Sequence, residues 1–525
     1  MPHCGARRRS AVQPRGLGLD GEVVVQFEPQ LITYVDRLAG DFGGLLDLLE
    51  GPLAGAFGGV HLLPFYDPID GADAGFDPVD HTAVDHRLGD WNDAAHIGAN
   101  HVVMADLIVN HVSSRSPAFI DWCEHGVRSE HDGMFLTLDR VFPGGPTDAE
   151  LDSIYRPRPG LPFTDYDVAG VSRRVWTTFT SDQIDIDVDH PAAWRYLLEV
   201  LDRFAGAKVD IVRLDAVGYA VKRHGTRCFM LPETFDFIRR LADECHERGM
   251  QVLVEIHSHY LTQIEIAGEV DLIYDFALPP LVLHAIYQRD ARPLQRWLTV
   301  RPTNCVTVLD THDGIGVIDV APANGEPGLL EADDIDRLVE AIHSASRGQS
   351  RQATGAAASN VDLYQVNCAW FDALGGDDRA HLLARMIQVL VPGVPQVYYA
   401  GLLAEHNDME LIGRTGVGRD INRPYYDDHR RRAALARPVV QDTLRLLRWR
   451  SAECHLFGGD FELLACDPHQ LALAWSHRGH RLEAFFDLAD RSYRIELDGR
   501  SASAMHDLGS LRSDPGRSAS ESASA

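Results

Sequence analysis

The stretch Val209-Asp210-Ile211-Val212-Arg213-Leu214-Asp215-Ala216-Val217-Gly218-Tyr219 decides how the remainder of the sequence is read. It begins as a buried strand and ends by presenting Arg213 and Asp215 two residues apart. Side chains alternate between the two faces of a strand, so this guanidinium and this carboxylate share a direction. A neighbouring cation is expected to keep Asp215 ionised at neutral pH, the state a nucleophile requires. A purely structural ion pair would show the same two residues, so the surrounding chain has to separate the readings.

Seven more apolar runs flank this one, at 29–35, 59–65 and 102–109 before it and 251–255, 271–276, 305–309 and 396–399 after it. Most are separated by helical patterns, such as those at 45–53 and 91–99, which is the signature of an alternating β/α chain with a parallel sheet. A chain of 525 residues exceeds one ordinary core unless that core is a large α/β barrel with additions. The expected fold class is therefore α/β: a (β/α)8 TIM barrel with inserted loop-rich subdomains and a C-terminal antiparallel β-domain.

Two intervals are too long for simple crossovers, and each follows the C-terminal end of a strand, the face where such barrels keep their active sites. The expected division is a disordered extension over 1–25, barrel over 26–109, an inserted domain over 110–189 and barrel over 190–314. A second insertion follows over 315–374, then barrel over 375–455, a β-domain over 456–509 and a disordered Ser-rich tail over 510–525.

The composition, 45% apolar and 24% charged, is that of a globular protein. A net charge of −28 argues against nucleic acid or an anionic membrane as partner, since both would be repelled. Lysine occurs only at 208 and 222, which reads as a composition bias. The eight cysteines contain no Cys-x-x-Cys pair and read as scattered reduced thiols. Arg7-Arg8-Arg9 lacks the apolar run of a signal peptide, and no stretch approaches the ~20 apolar residues of a membrane span, so a cytoplasmic protein is expected.

Four polar clusters fall at strand ends: 106–111, 213–219, 255–257 and 310–313. They set Asp215, Glu255 and Asp313 on three separate strands that a barrel brings together. Three convergent carboxylates suit a metal or a carbohydrate, and the charge of Arg213 opposes the metal. Glycoside chemistry needs one ionised carboxylate to attack the anomeric carbon and one protonated acid to assist the leaving group. Asp215 suits the first role. Glu255 follows Val-Leu-Val, whose desolvation is expected to raise its pKa toward the acid/base range, and Asp313 would grip sugar hydroxyls.

These clusters, Asp106-Leu107-Ile108-Val109-Asn110-His111, Val212-Arg213-Leu214-Asp215, Glu255 and His312-Asp313, resemble the four signature regions of the α-amylase superfamily, glycoside hydrolase family 13. Within it the chain most resembles the sucrose phosphorylase family. The closest stretches are 70–78 (DGADAGFDP), 154–163 (IYRPRPGLPF), 274–280 (YDFALPP), 308–317 (VLDTHDGIGV) and 418–423 (GRDINR), and the similarity spans about 30–450.

The resemblance implies that Asp215 forms a covalent glucosyl-enzyme, that Glu255 protonates departing fructose and later assists the acceptor, and that Asp313 stabilises the transition state. Two inverting displacements retain the α-configuration, with the two principal carboxyl groups about 5–5.5 Å apart. It further implies a glucose pocket closed by Asp73 and Arg419, with His111, Arg213 and His312 around the ring and Phe76 and Phe179 as apolar walls. Asp106 as a mere brace for Arg213, and Phe179 as plain core, stay open. Phosphate falls to Arg158, His257 and Tyr364. His257 also contacts substrate, as do Asp362 and Gln365 from a loop whose rearrangement exchanges fructose-binding and phosphate-binding states.

The implied small molecules are sucrose, phosphate, fructose and glucose 1-phosphate, and a homodimer is expected. No metal, nucleotide or organic cofactor is expected. His259 and the N-terminal extension depart from the family pattern without touching the acids. Phosphorylases of glucosylglycerate, glucosylglycerol or sucrose 6'-phosphate, and a sucrose hydrolase or transglucosidase, remain alternatives. An inactive carbohydrate-binding barrel would have lost an acid, whereas all three are present.

Overall fold

The computed structural model describes residues 27–71, 73–156, 160–323, 325–354 and 365–513. The expected N-terminal extension and the tail beyond 513 lie outside the described residues. Eight parallel strands close into a barrel: β1 (Gln30–Thr33), β2 (Gly59–Leu62), β3 (Val102–Ile108), β4 (Ile211–Asp215), β5 (Gln251–Val254), β6 (Leu272–Asp275), β7 (Cys305–Thr307) and β8 (Val394–Tyr398). Each expected apolar run contains or overlaps one of them. β4 starts two residues later than its apolar run and carries Arg213 and Asp215 inside the strand, and β8 starts two residues earlier than its run.

The (β/α)8 expectation holds because these runs are buried on both faces, helices outside and side-chain layers within. The helices α1 (Phe42–Glu50) and α2 (Trp91–Ile97) follow the first two barrel strands. The Asp41 side chain caps α1, starting it ahead of the apolar pattern, and Gly51-Pro52 stops it. Further round the barrel, α3 (Pro191–Gly206) and α4 (Pro232–Glu247) each start on a proline, whose missing N–H costs nothing at a first helical position.

The barrel interior is unusually polar. Tyr274 on β6 donates to Gln396 Oε1 at 3.2 Å, and Gln396 donates in turn to Gln30 Oε1 at 2.7 Å. Parallel register places Arg213 of β4 beside Asp106 of β3, both pointing inward. Arg385, on a buried helix α5 (Asp378–Leu390), takes Asp310 at 2.5 Å, so that carboxylate braces the wall.

Between β3 and α3 the chain leaves the barrel to form a helix (Pro117–His125) and an antiparallel hairpin (Phe163–Val168 with Val171–Trp176). Lys222 pins this excursion to the barrel. Its Nζ lies 2.6 Å from Asp185 Oδ2 and donates to Asn110 Oδ1 at 2.8 Å and to Tyr219 O at 2.6 Å. A compact ammonium fits among three oxygens where a planar guanidinium does not, so one of the two lysines has a defined task. Lys222→Met should strand a buried carboxylate and cost about 3–5 kcal/mol, read as a lower denaturation midpoint. The Lys222→Met, Asp185→Asn pair should lose less than the single change.

After the last barrel helix, α6 (Pro438–Ala452), five antiparallel strands run in sequence order: β9 (Asp460–Leu463), β10 (Gln470–His477), β11 (His480–Asp487), β12 (Ser492–Leu497) and β13 (Arg500–Ala502). Leu471, Leu473 and Trp475 alternate inward on β10, and Trp475 Nε1 donates to Leu390 O at the end of α5 at 2.8 Å. The seven cysteines among the described residues are free thiols. Among the same residues no helix is long and apolar enough to cross a membrane.

Candidate active site

A single guanidinium organises the mouth of the barrel. Arg213 is buried, and its Nη1 donates to Asp215 Oδ1 at 2.8 Å and also to Asp106 Oδ1. Its Nη2 lies 3.5 Å from Glu255 Oε1. The Phe76 and Tyr274 rings flank it at 5.9 and 5.8 Å. Directly after β4 the backbone turns through Ala216, a non-glycine residue at φ 54°, and this turn aims the Ala216 N–H at Glu255 Oε2, 3.1 Å away. Strain of this kind persists where the surroundings over-determine it, here by tying the ends of β4 and β5 together.

The electrostatics correct one expectation. Burial is the largest influence on Asp215 and pushes its carboxyl well up; Glu255 and Asp106 push the same way, and Arg213 only opposes them. The guanidinium alone therefore does not settle Asp215 as an anion, as the sequence suggested. Buried beside Glu255 and Asp106, the Asp215 carboxyl holds its proton to higher pH than an isolated carboxyl. Arg213 sits 2.8 Å from Asp215 and 3.5 Å from Glu255, which favours the anion on Asp215. Asp106 is the reverse case: burial raises it, but Arg213 and His61 outweigh that and bring it down to about 2. It is fully buried against Arg213 and His61 and does not line the pocket, so it acts as the brace.

Asp313 lines the same pocket, close to Glu255 and His257. Arg419 Nη1 is 2.7 Å from Asp313 Oδ1 and 3.6 Å from Asp73 Oδ2. Arg423 lies beneath them, with Nη1 3.2 Å from Asp73 Oδ1 and Nε donating to His312 O at 2.8 Å. Burial raises the Asp313 carboxyl, but the Arg419 and Arg423 guanidiniums more than reverse this and hold it well below the usual carboxylate range. Burial pulls His312 down to about 3, helped by Arg213 and Arg423, so it is a neutral imidazole stacked on Phe76 at 4.7 Å. His111 Nε2 donates to Phe76 O at 2.8 Å, and burial lowers this imidazole too.

Ten of the expected residues line one pocket: Asp73, Phe76, His111, Phe179, Asp215, Glu255, His312, Asp313, Gln365 and Arg419. Phe179, half-buried, is thus a wall and not core. Arg213 lies just below, and His257 is reached through Gln365, whose amide nitrogen is 3.2 Å from His257 Nε2. Arg158, Asp362 and Tyr364 lie outside the described residues.

Sequence reasoning missed Gln183, Tyr219 and Asn367 in the lining and Arg423 below it. Tyr219 and Arg423 stood inside quoted motifs; Gln183 and Asn367 lie near the ends of the long excursions and carried no local signal.

Glu255, His257 and Asp313 bring ligand atoms within 4.8 Å of one another, the one such metal-sized group among the described residues. Arg213 on Glu255 and Arg419 on Asp313 already supply positive charge there, so a neutral, hydroxyl-rich ring fits this wall better than a cation.

No protein-family model matches the chain. It is 56% identical over 450 residues to sucrose phosphorylase of Agrobacterium vitis, covering 85% of this chain and 92% of that protein. It is 50% identical over 459 residues to sucrose phosphorylase of Bifidobacterium adolescentis, covering 87% and 90%. Among solved structures, sucrose 6F-phosphate phosphorylase from Thermoanaerobacter thermosaccharolyticum superposes with a TM-score of 0.84 at 35% identity, covering 91% of this chain and 98% of that one.

Proposed function

The chain belongs to the sucrose phosphorylase family of glycoside hydrolase family 13, and from that premise we propose that it is a retaining glucosyltransferase converting sucrose and phosphate to α-D-glucose 1-phosphate and D-fructose. The observation that carries this reading is the convergence of Asp215, Glu255 and Asp313 on one pocket, two of them sharing Arg213 and the third held by Arg419.

Asp215 attacks the anomeric carbon of glucose while Glu255 gives its proton to the departing fructose oxygen. Glu255, now the base, takes the proton of the incoming acceptor, which displaces Asp215 with a second inversion. Asp313, kept anionic, accepts hydrogen bonds from the sugar hydroxyls that strengthen as positive charge develops on the ring. Asp73 and Arg419 close the far end, while Phe76 and Phe179 exclude water from the faces. His257 and Gln365, with Arg158, Asp362 and Tyr364, receive fructose and then phosphate. The scattered free thiols support a cytoplasmic setting, and the family resemblance supports a homodimer, which light scattering of the purified protein would test. The division into barrel, two insertions and C-terminal domain is proposed at the boundaries given above.

The deciding experiment incubates the protein with sucrose in phosphate buffer and quantifies α-glucose 1-phosphate, fructose and free glucose. Glucose 1-phosphate formed in step with fructose is the expected result. Free glucose in its place would keep the two-carboxylate mechanism and make water the acceptor. No sucrose consumption would overturn the reading and send the search to sucrose 6'-phosphate, glucosylglycerol and glucosylglycerate.

A further inference from the structure

Behind His257 lies a buried acid that none of the roles above uses. Asp319, in the short 3-10 turn Ile318–Val320, is fully buried, and its Oδ2 accepts from His257 Nδ1 at 3.1 Å. Its Oδ1 accepts from the Ser258 N–H at 3.1 Å and from Gln263 Nε2 at 2.8 Å. Both oxygens are engaged, yet all three of these partners are neutral unless His257 carries a proton. A buried carboxylate without a counter-charge is costly, and His257 is its one ion-pair partner among the described residues.

The ring has little freedom. It lies flat on Phe276, with centroids 3.8 Å apart, and its Nε2 faces the side-chain amide of Gln365 in the pocket lining, whose oxygen must turn toward the ring when Nε2 carries a proton. Gly316 completes the fit: a Cβ there would come within 2.6 Å of Asp319 Oδ2 and 3.2 Å of His257 Nδ1, so the acid and the imidazole meet only because this position has no side chain.

We propose that Asp319 is a positioning residue: it fixes the His257 ring through Nδ1 and keeps it cationic, so that the opposite N–H favours an anionic acceptor over a neutral one. This rests on the phosphorylase reading above. Among the described residues, the acids that act on His257 agree in sign. Burial pulls the imidazole down, but Asp319, Glu255 and Asp313 outweigh it and raise its pKa above the usual histidine value. The imidazolium therefore persists to higher pH than that of an ordinary histidine and is lost as pH rises through that raised value. Phosphate gains negative charge over part of the same interval, so the weakening of its binding is read against Asp319→Asn, in which the histidine's titration moves and phosphate's own does not.

The test is Asp319→Asn, which keeps the shape and an acceptor but removes the charge. Two quantities are read: the ratio of glucose 1-phosphate to free glucose made from sucrose at subsaturating phosphate, and the pH dependence of the phosphate KM. The ratio should fall about tenfold, the scale of one charge-assisted hydrogen bond, through a higher phosphate KM. The alkaline rise of that KM should also move to lower pH. Gly316→Ala, which pushes the acid away from the ring and leaves its charge intact, should lower the same ratio. That second variant keeps the proposal testable if the first does not fold.

Phosphorolysis and hydrolysis falling in parallel, with an unmoved pH profile, would show a purely structural role and overturn the proposal. So would a phosphate KM in the unmodified protein that stays flat as pH rises past the histidine range. An unmodified protein that makes no glucose 1-phosphate overturns the phosphorylase reading and this inference together. One that makes it, beside variants that match it in both readouts, overturns this inference alone.

Discussion

Asp215→Asn is expected to abolish glucose 1-phosphate formation, lowering turnover by roughly 10^4- to 10^6-fold, the scale seen when a covalent nucleophile is removed. An amide of the same shape cannot form the glucosyl ester, and Glu255, the other pocket acid beside Arg213, is occupied as the proton donor. The stability effect should run the other way. Asp215, Asp106 and Glu255 surround one guanidinium, and burial together with the two like charges raises the Asp215 pKa. A carboxyl whose folded-state pKa is raised detracts from stability above its unfolded value, so a neutral amide relieves that cost at neutral pH.

The variant should therefore melt no lower than the unmodified protein while still binding sucrose, measured by calorimetry on the inactive enzyme. A structural ion pair makes the opposite forecast: activity largely kept and melting temperature reduced. Measuring turnover and melting together separates the two readings of the stretch from which the fold was read.

Glu255→Gln is expected to lower turnover of sucrose by about 10^2- to 10^4-fold, the contribution of a positioned general acid. The decisive control is a donor whose leaving group departs without a proton. With α-glucosyl fluoride the first step needs only Asp215, so the variant should form the glucosyl-enzyme at a rate much closer to that of the unmodified protein. An equal loss on sucrose and on the fluoride would mean that Glu255 shapes the pocket without donating a proton. The 3.1 Å contact from the Ala216 N–H can be kept by the amide oxygen of glutamine, which makes a gross rearrangement of β4 against β5 an unsuitable explanation for the expected loss.

The eight barrel strands were legible along the chain because each is buried on both faces and therefore reads as a short continuous apolar run. Asp215, Glu255 and Asp313 were legible because a parallel barrel delivers its strand ends to one face, whatever the loops between them do. Arg213 beside Asp215 followed from the two-residue alternation of a strand. What alternation does not contain is depth. That burial outweighs Arg213 at Asp215 depends on how Phe76 and Tyr274 enclose Arg213 and on Glu255 lying beside Asp215, three other parts of the chain.

The supporting residues were invisible for a related reason. Asp319 meets His257 across 62 residues, Lys222 meets Asn110 across 112 and Arg423 meets Asp73 across 350. No local period marks such pairs; they exist only once the long excursions have folded back onto the barrel. Local sequence thus determined the strands and the acids at their ends, since both follow from nearest-neighbour backbone geometry. The tertiary structure decided charge state, pocket walls and bracing, since these depend on desolvation and on partners that only packing brings within a few ångströms.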